Sequence, residues 1–179
     1  LSIPDSSAQT LNEYIMIASK YTSIPTSSKK YVNAAIVKGQ DSAKVQMKLK
    51  GDWTDHLFSG KESYRVKIKG DMSFIGLKSF SVQHPRARKY LGEWVMHKIA
   101  EREGVLTTTY DFVNVKINDV NHGVYALEEH FDKQLLESRA RREGPILKMD
   151  ETSFWAATKK NEAAVEGLEY PFFEESFVS

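Results

Sequence analysis

The 179-residue sequence contains no cysteine, no long apolar run and almost no excess charge of either sign. Without cysteine the chain can form neither a disulfide framework nor a thiolate metal site. No stretch approaches the roughly 18 consecutive apolar residues of a membrane-spanning helix. Lys and Arg (25) nearly balance Asp and Glu (24), so no global field attracts nucleic acid or an anionic membrane. We therefore expect no membrane span and no nucleic-acid partner, and the composition leaves the compartment open.

Several familiar catalytic motifs are also missing from the sequence. It has no Gly-x-Ser-x-Gly nucleophile elbow, no His-Glu-x-x-His zinc motif and no Walker phosphate loop. Asp52, Asp55 and His56 lie close together, but no further ligand follows at a diagnostic spacing. The sequence therefore favours neither a hydrolase nor a metalloprotease, and we predict no metal site.

The residues that are present predict an α+β fold. Apolar content of 41% is enough for one domain with a core, and apolar residues at helical spacing between Ser7 and Tyr21 predict a first helix. Apolar and polar residues then alternate in runs typical of half-buried strands. We predict strands at 31–38, 43–50, 64–69, 78–83, 112–118, 123–128 and 146–149, and further helices at 86–103, 131–142 and, weakly, 152–160. This order favours an antiparallel sheet with helices packed against it.

A series of blocks along the chain resembles the CotH (spore coat protein H) kinase family. One block is Gly123-Val124-Tyr125-Ala126-Leu127-Glu128-Glu129, and another is Lys50-Gly51-Asp52-Trp53-Thr54. The matching blocks follow the family order from about residue 45 to residue 155. They cover residues 49–56, 61–69, 80–85, 90–94, 112–118, 123–133 and 144–148.

The resemblance implies an atypical protein kinase that binds ATP with Mg²⁺ and phosphorylates Ser or Thr hydroxyls of protein substrates. It divides the chain into an N-terminal helical extension (1–30), a kinase N-lobe-like part (31–150) and the start of a truncated C-terminal region (151–179). The absent initiator Met and the aromatic end at 170–178 lead us to expect a fragment that is inactive alone. Family catalytic residues are expected in a missing C-terminal lobe, and the setting in a bacterial spore surface or another extracytoplasmic location.

The resemblance also implies a phosphate site around the loop from Gly51 to Gly60. Its backbone amides, with Thr54 or Ser59, would reach the phosphate oxygens, and Gly51 and Asp52 belong to the same candidate site. Lys67 would pair with phosphate, with Lys69 as the alternative, and Glu93 would orient Lys67. From the residues alone, residues 51–60 favour a plain polar hairpin loop, a solvated basic strand explains Lys67 equally well, and Glu93 can be an ordinary helix residue that pairs with His97.

Leu127, Glu128 and Glu129 occupy the place of a kinase hinge, which would offer backbone groups to adenine. A strand that leads into a solvated helix explains the same residues. Lys148 matches a family lysine and is a further candidate for phosphate contact, or else an ordinary surface residue.

A second hypothesis makes the chain a non-catalytic binding or scaffold module, a pseudokinase-like protein of a bacterial envelope or spore surface. Its motivation is the aromatic end at 170–178, because exposed apolar patches mark interfaces. We expect this end to dock on the missing C-terminal lobe or on a second copy of the chain, which would give a homo-oligomer.

Overall fold

In a computed structural model of the chain, the structure describes residues 1–21, 24–58, 60–142, 144–149 and 173–176. The chain forms two compact units, Leu1–His130 and Phe131–Ser179. The predicted divisions at residues 30 and 150 stay a prediction.

A six-stranded antiparallel sheet forms the framework of the first unit. Its strands are β1 (Val32–Lys38), β2 (Asp41–Leu49), β5 (Tyr64–Ile68), β6 (Ser79–Gln83), β7 (Tyr110–Ile117) and β8 (Val120–Glu129). Two short strands, β3 (Leu57–Phe58) and β4 (Lys61–Glu62), make a separate hairpin. The strand order in the large sheet is β1-β2-β5-β6-β8-β7. The predicted α+β class is confirmed, with each predicted strand of this sheet within about two or three residues of its observed bounds.

Two helices belong to the first unit, α1 (Asp5–Ala18) and α2 (Leu91–Arg102). Three short 3-10 turns occur at Thr26–Ser28, Thr54–His56 and Pro85–Arg88. The prediction of one continuous helix from residue 86 is wrong, because Lys89 and Tyr90 have φ angles of 53° and 57°. These left-handed residues separate the 3-10 turn from α2.

The second unit contains α3 (Lys133–Ser138), β9 (Ile146–Met149) and β10 (Phe173–Ser176). Asp132 caps α3 by accepting a hydrogen bond from the Gln134 amide at 3.0 Å. β9 and β10 pair antiparallel. The predicted strand at 146–149 is confirmed, and the predicted helix at 152–160 lies outside the described residues.

The large sheet has one apolar and one polar face, because successive side chains of a strand point in opposite directions. Val45, Met47 and Leu49 of β2 are buried on one face, in a core that also contains Leu11 of α1. We call this the helix face. The burial of each such side chain stabilises the fold by about 1.5–3 kcal/mol. The alternate residues of the same strands form the second face.

The β7–β8 hairpin turns at Asn118 and Asp119, which have φ angles of 46° and 68°. Asn and Asp tolerate this conformation better than other residues with a side chain, and it matches the twist of a two-residue hairpin. The prediction placed the turn at 119–122, later than the observed turn. Asn118 also bonds to the start of the chain, since its Oδ1 accepts a hydrogen bond from the Ile3 amide at 2.7 Å.

The first three residues bond to both edge strands of the sheet. Ser2 and Ala35 of β1 exchange two backbone hydrogen bonds of 2.8 Å. The Leu1 nitrogen donates to the Lys116 carbonyl of β7 at 2.6 Å. The N-terminal segment therefore links β1 to β7 across the end of the sheet.

Candidate functional site

The second face of the sheet carries a cluster of cations. Lys48 lies opposite Arg65, and Lys67 is the neighbour of Arg65 on the same face of β5. Lys50 follows Lys48 by two residues and so projects on the same side. We call Lys48, Lys50, Arg65 and Lys67 the basic face. Burial lowers the pKa of Lys48, and the nearby charges of Arg65, Lys29 and Lys67 lower it further.

At one end of the basic face, Lys50 forms a largely buried ion pair with Glu128 of β8. The two side chains are only 13% and 22% exposed. Gln83 of β6 donates a second hydrogen bond to the same carboxylate oxygen of Glu128, at 2.9 Å. A buried pair with extra hydrogen bonds holds its geometry well, since the loss of one partner would leave the other as an uncompensated charge.

The charges around this pair keep the carboxylate ionised. Burial alone would raise the pKa of Glu128, but Lys50, Arg88 and the Gln83 hydrogen bond hold it below its ordinary value. Burial lowers the pKa of Lys50, and Glu128 opposes that change. Tyr110 of β7 is buried near Glu128. Its burial, together with the negative charges of Glu93 and Glu128, raises the pKa of its hydroxyl to about 12. Its hydroxyl therefore stays protonated at neutral pH.

The loop that follows Lys50 lies directly against His56. Gly51 has a φ angle of 104°, and a Cβ atom there would lie 2.1 Å from His56 Cδ2. Only glycine fits this approach without displacing the imidazole. Burial lowers the pKa of His56; Lys50 and Arg88 act in the same direction, while Asp55 opposes them. His56, itself a residue of the loop, is therefore neutral, and its ring packs against the backbone at Gly51.

Both ends of this loop are held in place. At its start, Asp52 forms an ion pair with Lys29, and its carbonyl accepts a hydrogen bond from the Ile24 amide at 2.8 Å. At its end, the Gly60 carbonyl lies 2.7 Å from His122 Nδ1 in the β7–β8 hairpin. The loop is thus anchored over the edge of the basic face.

Several buried polar atoms beside the ion pair have no hydrogen-bond partner within the described residues. They include Arg88 Nε, which is a donor, and His56 Nδ1. Buried polar groups without partners are uncommon in native proteins, and they often contact a bound group or water. With the cations of the basic face, the Arg88 guanidinium fits an anionic ligand such as a phosphate.

The predicted ion pair between Lys67 and Glu93 is not formed. The Lys67 ammonium lies 5.5 Å from the centre of the Tyr31 ring, and the Lys48 ammonium lies 4.8 Å from the same centre. The Glu93 carboxylate lies 3.7 Å from His97 Nε2, one turn further along α2. Lys50 and Glu128 make the lysine–glutamate contact that the sequence assigned to the other two residues.

The remaining predicted residues have different surroundings. Lys69 lies beyond Lys67 and donates a hydrogen bond to Asn33 Oδ1 at 3.2 Å. Thr54 begins the 3-10 turn inside the loop. Lys148 belongs to β9 of the second unit, and its side chain lies outside the described residues.

The predicted hinge segment lies in an inner strand. Leu127 and Glu128 pair with β6 on one side and β7 on the other, so their backbone groups face neighbouring strands rather than an open cleft. Glu129 is buried and accepts a hydrogen bond from the Thr109 amide at 2.9 Å. The contribution of this segment to the site is therefore the Glu128 carboxylate.

The sequence analysis missed Lys50, Gln83 and Arg88. A signal existed for Lys50, since the alternation in β2 places it on the same side as Lys48. For Gln83 and Arg88 no local pattern was available, because their roles depend on which strands become neighbours.

The described residues do not fit a Mg²⁺ ion. They contain no group of three or more His, Asp or Glu side chains arranged to hold a metal. The donor set on the basic face consists of cations and amide groups, which suit the phosphates of a nucleotide and not a cation.

No helix in the described part of the chain has both the length and the apolar character to cross a membrane.

An antiparallel sheet with packed helices, a buried lysine–glutamate pair and a loop above it is compatible with the N-lobe of a kinase-like fold. Residues 47–176 match the family model described as CotH kinase protein. Because this match covers well over half of the sequence, the chain belongs to the CotH kinase family. No curated protein matches it significantly.

Proposed function

We propose that this chain is the ATP-binding part of a CotH-like protein kinase that phosphorylates Ser or Thr residues of protein substrates. The observation that carries the proposal is the Lys50–Glu128 pair on the basic face, with Arg88 Nε beside it as a donor that has no partner among the described residues. Membership of the CotH kinase family supports a kinase-related role and the use of a nucleotide.

In the proposed complex the nucleotide phosphates lie on the basic face below the loop from Gly51 to Gly60. Lys50 neutralises phosphate charge, and Glu128 keeps the Lys50 ammonium in place. Lys67 contributes charge further along the face. Transfer breaks the bond between the γ-phosphorus and the β,γ-bridging oxygen, forms a bond from the γ-phosphorus to the substrate hydroxyl oxygen, and releases ADP and the hydroxyl proton. The proposal assigns no catalytic base and no metal ligand to the described residues.

The proposal retains several expectations from the sequence. Lys148 is a further candidate for phosphate contact, the catalytic residues belong to a C-terminal lobe, and the setting is a bacterial spore surface or another extracytoplasmic location. Substrate proteins are its partners.

Titration of ATP into this chain, with and without Mg²⁺, tests the proposal. We expect saturable binding, weakened about tenfold by Lys67→Ala through the loss of a charge-assisted contact. Lys20→Ala is a matched control, because Lys20 is also an exposed lysine but follows α1, which packs on the opposite face of the sheet. In a longer form of the protein that phosphorylates a substrate, Lys67→Ala should lower activity. Absence of ATP binding at millimolar concentration contradicts the proposal.

A second candidate function is a non-catalytic binding or scaffold module. It is favoured by α2, which has no buried residue and exposes Leu91, Val95, Met96 and Ile99. Exposed apolar groups on one helix are typical of an interaction surface. Absence of nucleotide binding, together with a normally folded chain, would favour this function. The predicted oligomer through the aromatic end belongs to this hypothesis, although residues 173–176 already pair with β9.

A further inference from the structure

The helix face of the sheet contains a cavity that the proposed kinase function does not use. Its volume is about 530 Å³, within the range of small-molecule sites. Phe80 and Val82 of β6 and Leu127 of β8 line it, and Val113 of β7 and Ile36 of β1 contribute from the two edge strands. A cavity with such walls is a poor site for water and a good one for an apolar group.

Two lysines also line this cavity. Lys38 comes from the end of β1, and Lys116 comes from β7. The Lys38 ammonium lies 5.8 Å from the centre of the Phe74 ring, which is part of the cavity wall. Within the described part of the chain, neither lysine has a carboxylate at ion-pair distance. Lys38 shares the core side of β1 with Ile36, whereas Lys116 lies between the core residues Val115 and Ile117, so its side chain projects to the opposite face. The cavity therefore combines an apolar interior with the Lys38 ammonium, whose cross-strand neighbour is Asp41 of β2.

A strained apolar residue lies at the rim. Phe74 and Leu77 exchange two backbone hydrogen bonds, of 2.9 and 3.0 Å, and so close a tight turn at Ile75 and Gly76. Ile75 has a φ angle of 49° and is 47% exposed. A β-branched residue in this conformation is a genuine outlier, and strain of this kind concentrates at functional sites. A ligand in the cavity would cover the exposed Ile75 side chain and remove its apolar surface from water.

We propose that this cavity binds a fatty acid, with the acyl chain among the apolar residues and the carboxylate at Lys38. A neutral apolar ligand would leave the Lys38 ammonium unused, and a cationic one would be repelled by it. A carboxylate accepts a charge-assisted hydrogen bond from Lys38. Phe80, Val82 and Leu127 of the cavity wall belong to the core of the first unit, which favours a free fatty acid over the acyl chain of a lipid that remains in a bilayer.

The first test titrates sodium laurate into the isotope-labelled chain and follows amide and methyl NMR signals. We expect saturable shifts at Val82, Val113 and Leu127, with affinity at least tenfold higher for laurate than for 1-dodecanol. Lys38→Gln should weaken laurate binding about tenfold and leave dodecanol binding unchanged. Lys44→Gln and Lys116→Gln are the controls and should change neither. Equal affinities for laurate and dodecanol overturn the proposal.

The second test uses Ile75→Asn. Asparagine accepts a positive φ angle more readily than isoleucine, so this variant should melt at a higher temperature than the parent. It should nevertheless bind laurate several-fold more weakly, because the apolar rim is lost. Ala140→Asn is a matched control, since Ala140 also has a φ angle of 49° and does not line the cavity. If Ile75 has only a structural role, Ile75→Asn will not change the laurate affinity. That result would overturn the assignment of Ile75 to the ligand-binding rim.

A third arm distinguishes a free fatty acid from a membrane. The chain is mixed with phosphatidylglycerol vesicles and sedimented. We expect no greater co-sedimentation for the parent than for Ile75→Asn. Binding to vesicles without any binding of free laurate would contradict the proposal.

Discussion

The two faces of the six-stranded sheet are made by alternate residues of the same strands, but different interactions stabilise them. On the helix face, Val45, Met47 and Leu49 are almost fully removed from water. On the basic face, Lys48 and Lys50 retain partial contact with solvent and depend on neighbouring charges and hydrogen bonds. The helix face therefore stabilises the fold mainly through hydrophobic burial. The basic face carries partly buried charges, and the free energy of their desolvation has to be offset by that burial.

The largest effect is expected from a substitution on the helix face. Met47→Ala should lower the free energy of unfolding by about 3 kcal/mol, because Met47 is completely buried and a cavity would remain. Gln46→Ala, one residue earlier and on the opposite face, should change it by less than about 0.5 kcal/mol. Urea denaturation of both variants measures the difference. Equal losses would mean that the two faces do not differ in this way.

A somewhat smaller effect is expected from Lys50→Met. The variant leaves the Glu128 carboxylate partly buried without its cation, at a cost of about 2 kcal/mol at neutral pH. The double variant Lys50→Met/Glu128→Gln should recover part of this loss, since no charge then remains unpaired.

The same pair predicts a pH dependence. The pKa of Glu128 in the folded protein is held below its ordinary value of 4.5. Its stabilising contribution is therefore present above that value and is lost as the pH falls through the folded-state pKa. In Lys50→Met, burial without the cation should raise the pKa of Glu128, so acid relieves the defect. Denaturation at neutral pH and at about pH 4 should show the two proteins converging. A constant difference would contradict the assigned pair.

The smallest effect is a difference of about 1 kcal/mol between two glycine substitutions in the loop beside the basic face. Gly51→Ala should cost about 2 kcal/mol, since the methyl group meets His56 and the φ angle of 104° is strained. Gly60→Ala has a positive φ angle but open space around it, and should cost only about 1 kcal/mol. Thermal unfolding of both variants gives the comparison, and equal costs would rule out the contact with His56.

Sequence patterns predicted the strands well, because an alternation of period two is a local property. The residues from Val45 to Leu49 and from Tyr64 to Ile68 show it clearly, and both runs form strands. The start of α2 was harder to predict from the sequence. Lys89 and Tyr90 adopt left-handed conformations that neither residue type favours, so only the tertiary context determines them.

The contacts around the candidate site were less accessible to sequence reasoning. The alternation placed Lys67 on the face opposite Val66, as the structure has it, but it could not show which lysine meets a glutamate. Lys50 and Glu128 are 78 residues apart in the sequence. They meet because β8 inserts between β6 and β7 and brings Gln83 alongside, which is a matter of strand order. Glu93 instead lies near His97, the local partner that its helical spacing offers.

The short segment from Leu1 to Ile3 has a consequence for association between molecules. The outer strands of an open sheet expose unpaired amide and carbonyl groups that can recruit strands from other chains. Here the segment bonds to one position on each outer strand, Ala35 of β1 and Lys116 of β7. Its detachment would free backbone groups on both outer strands at once.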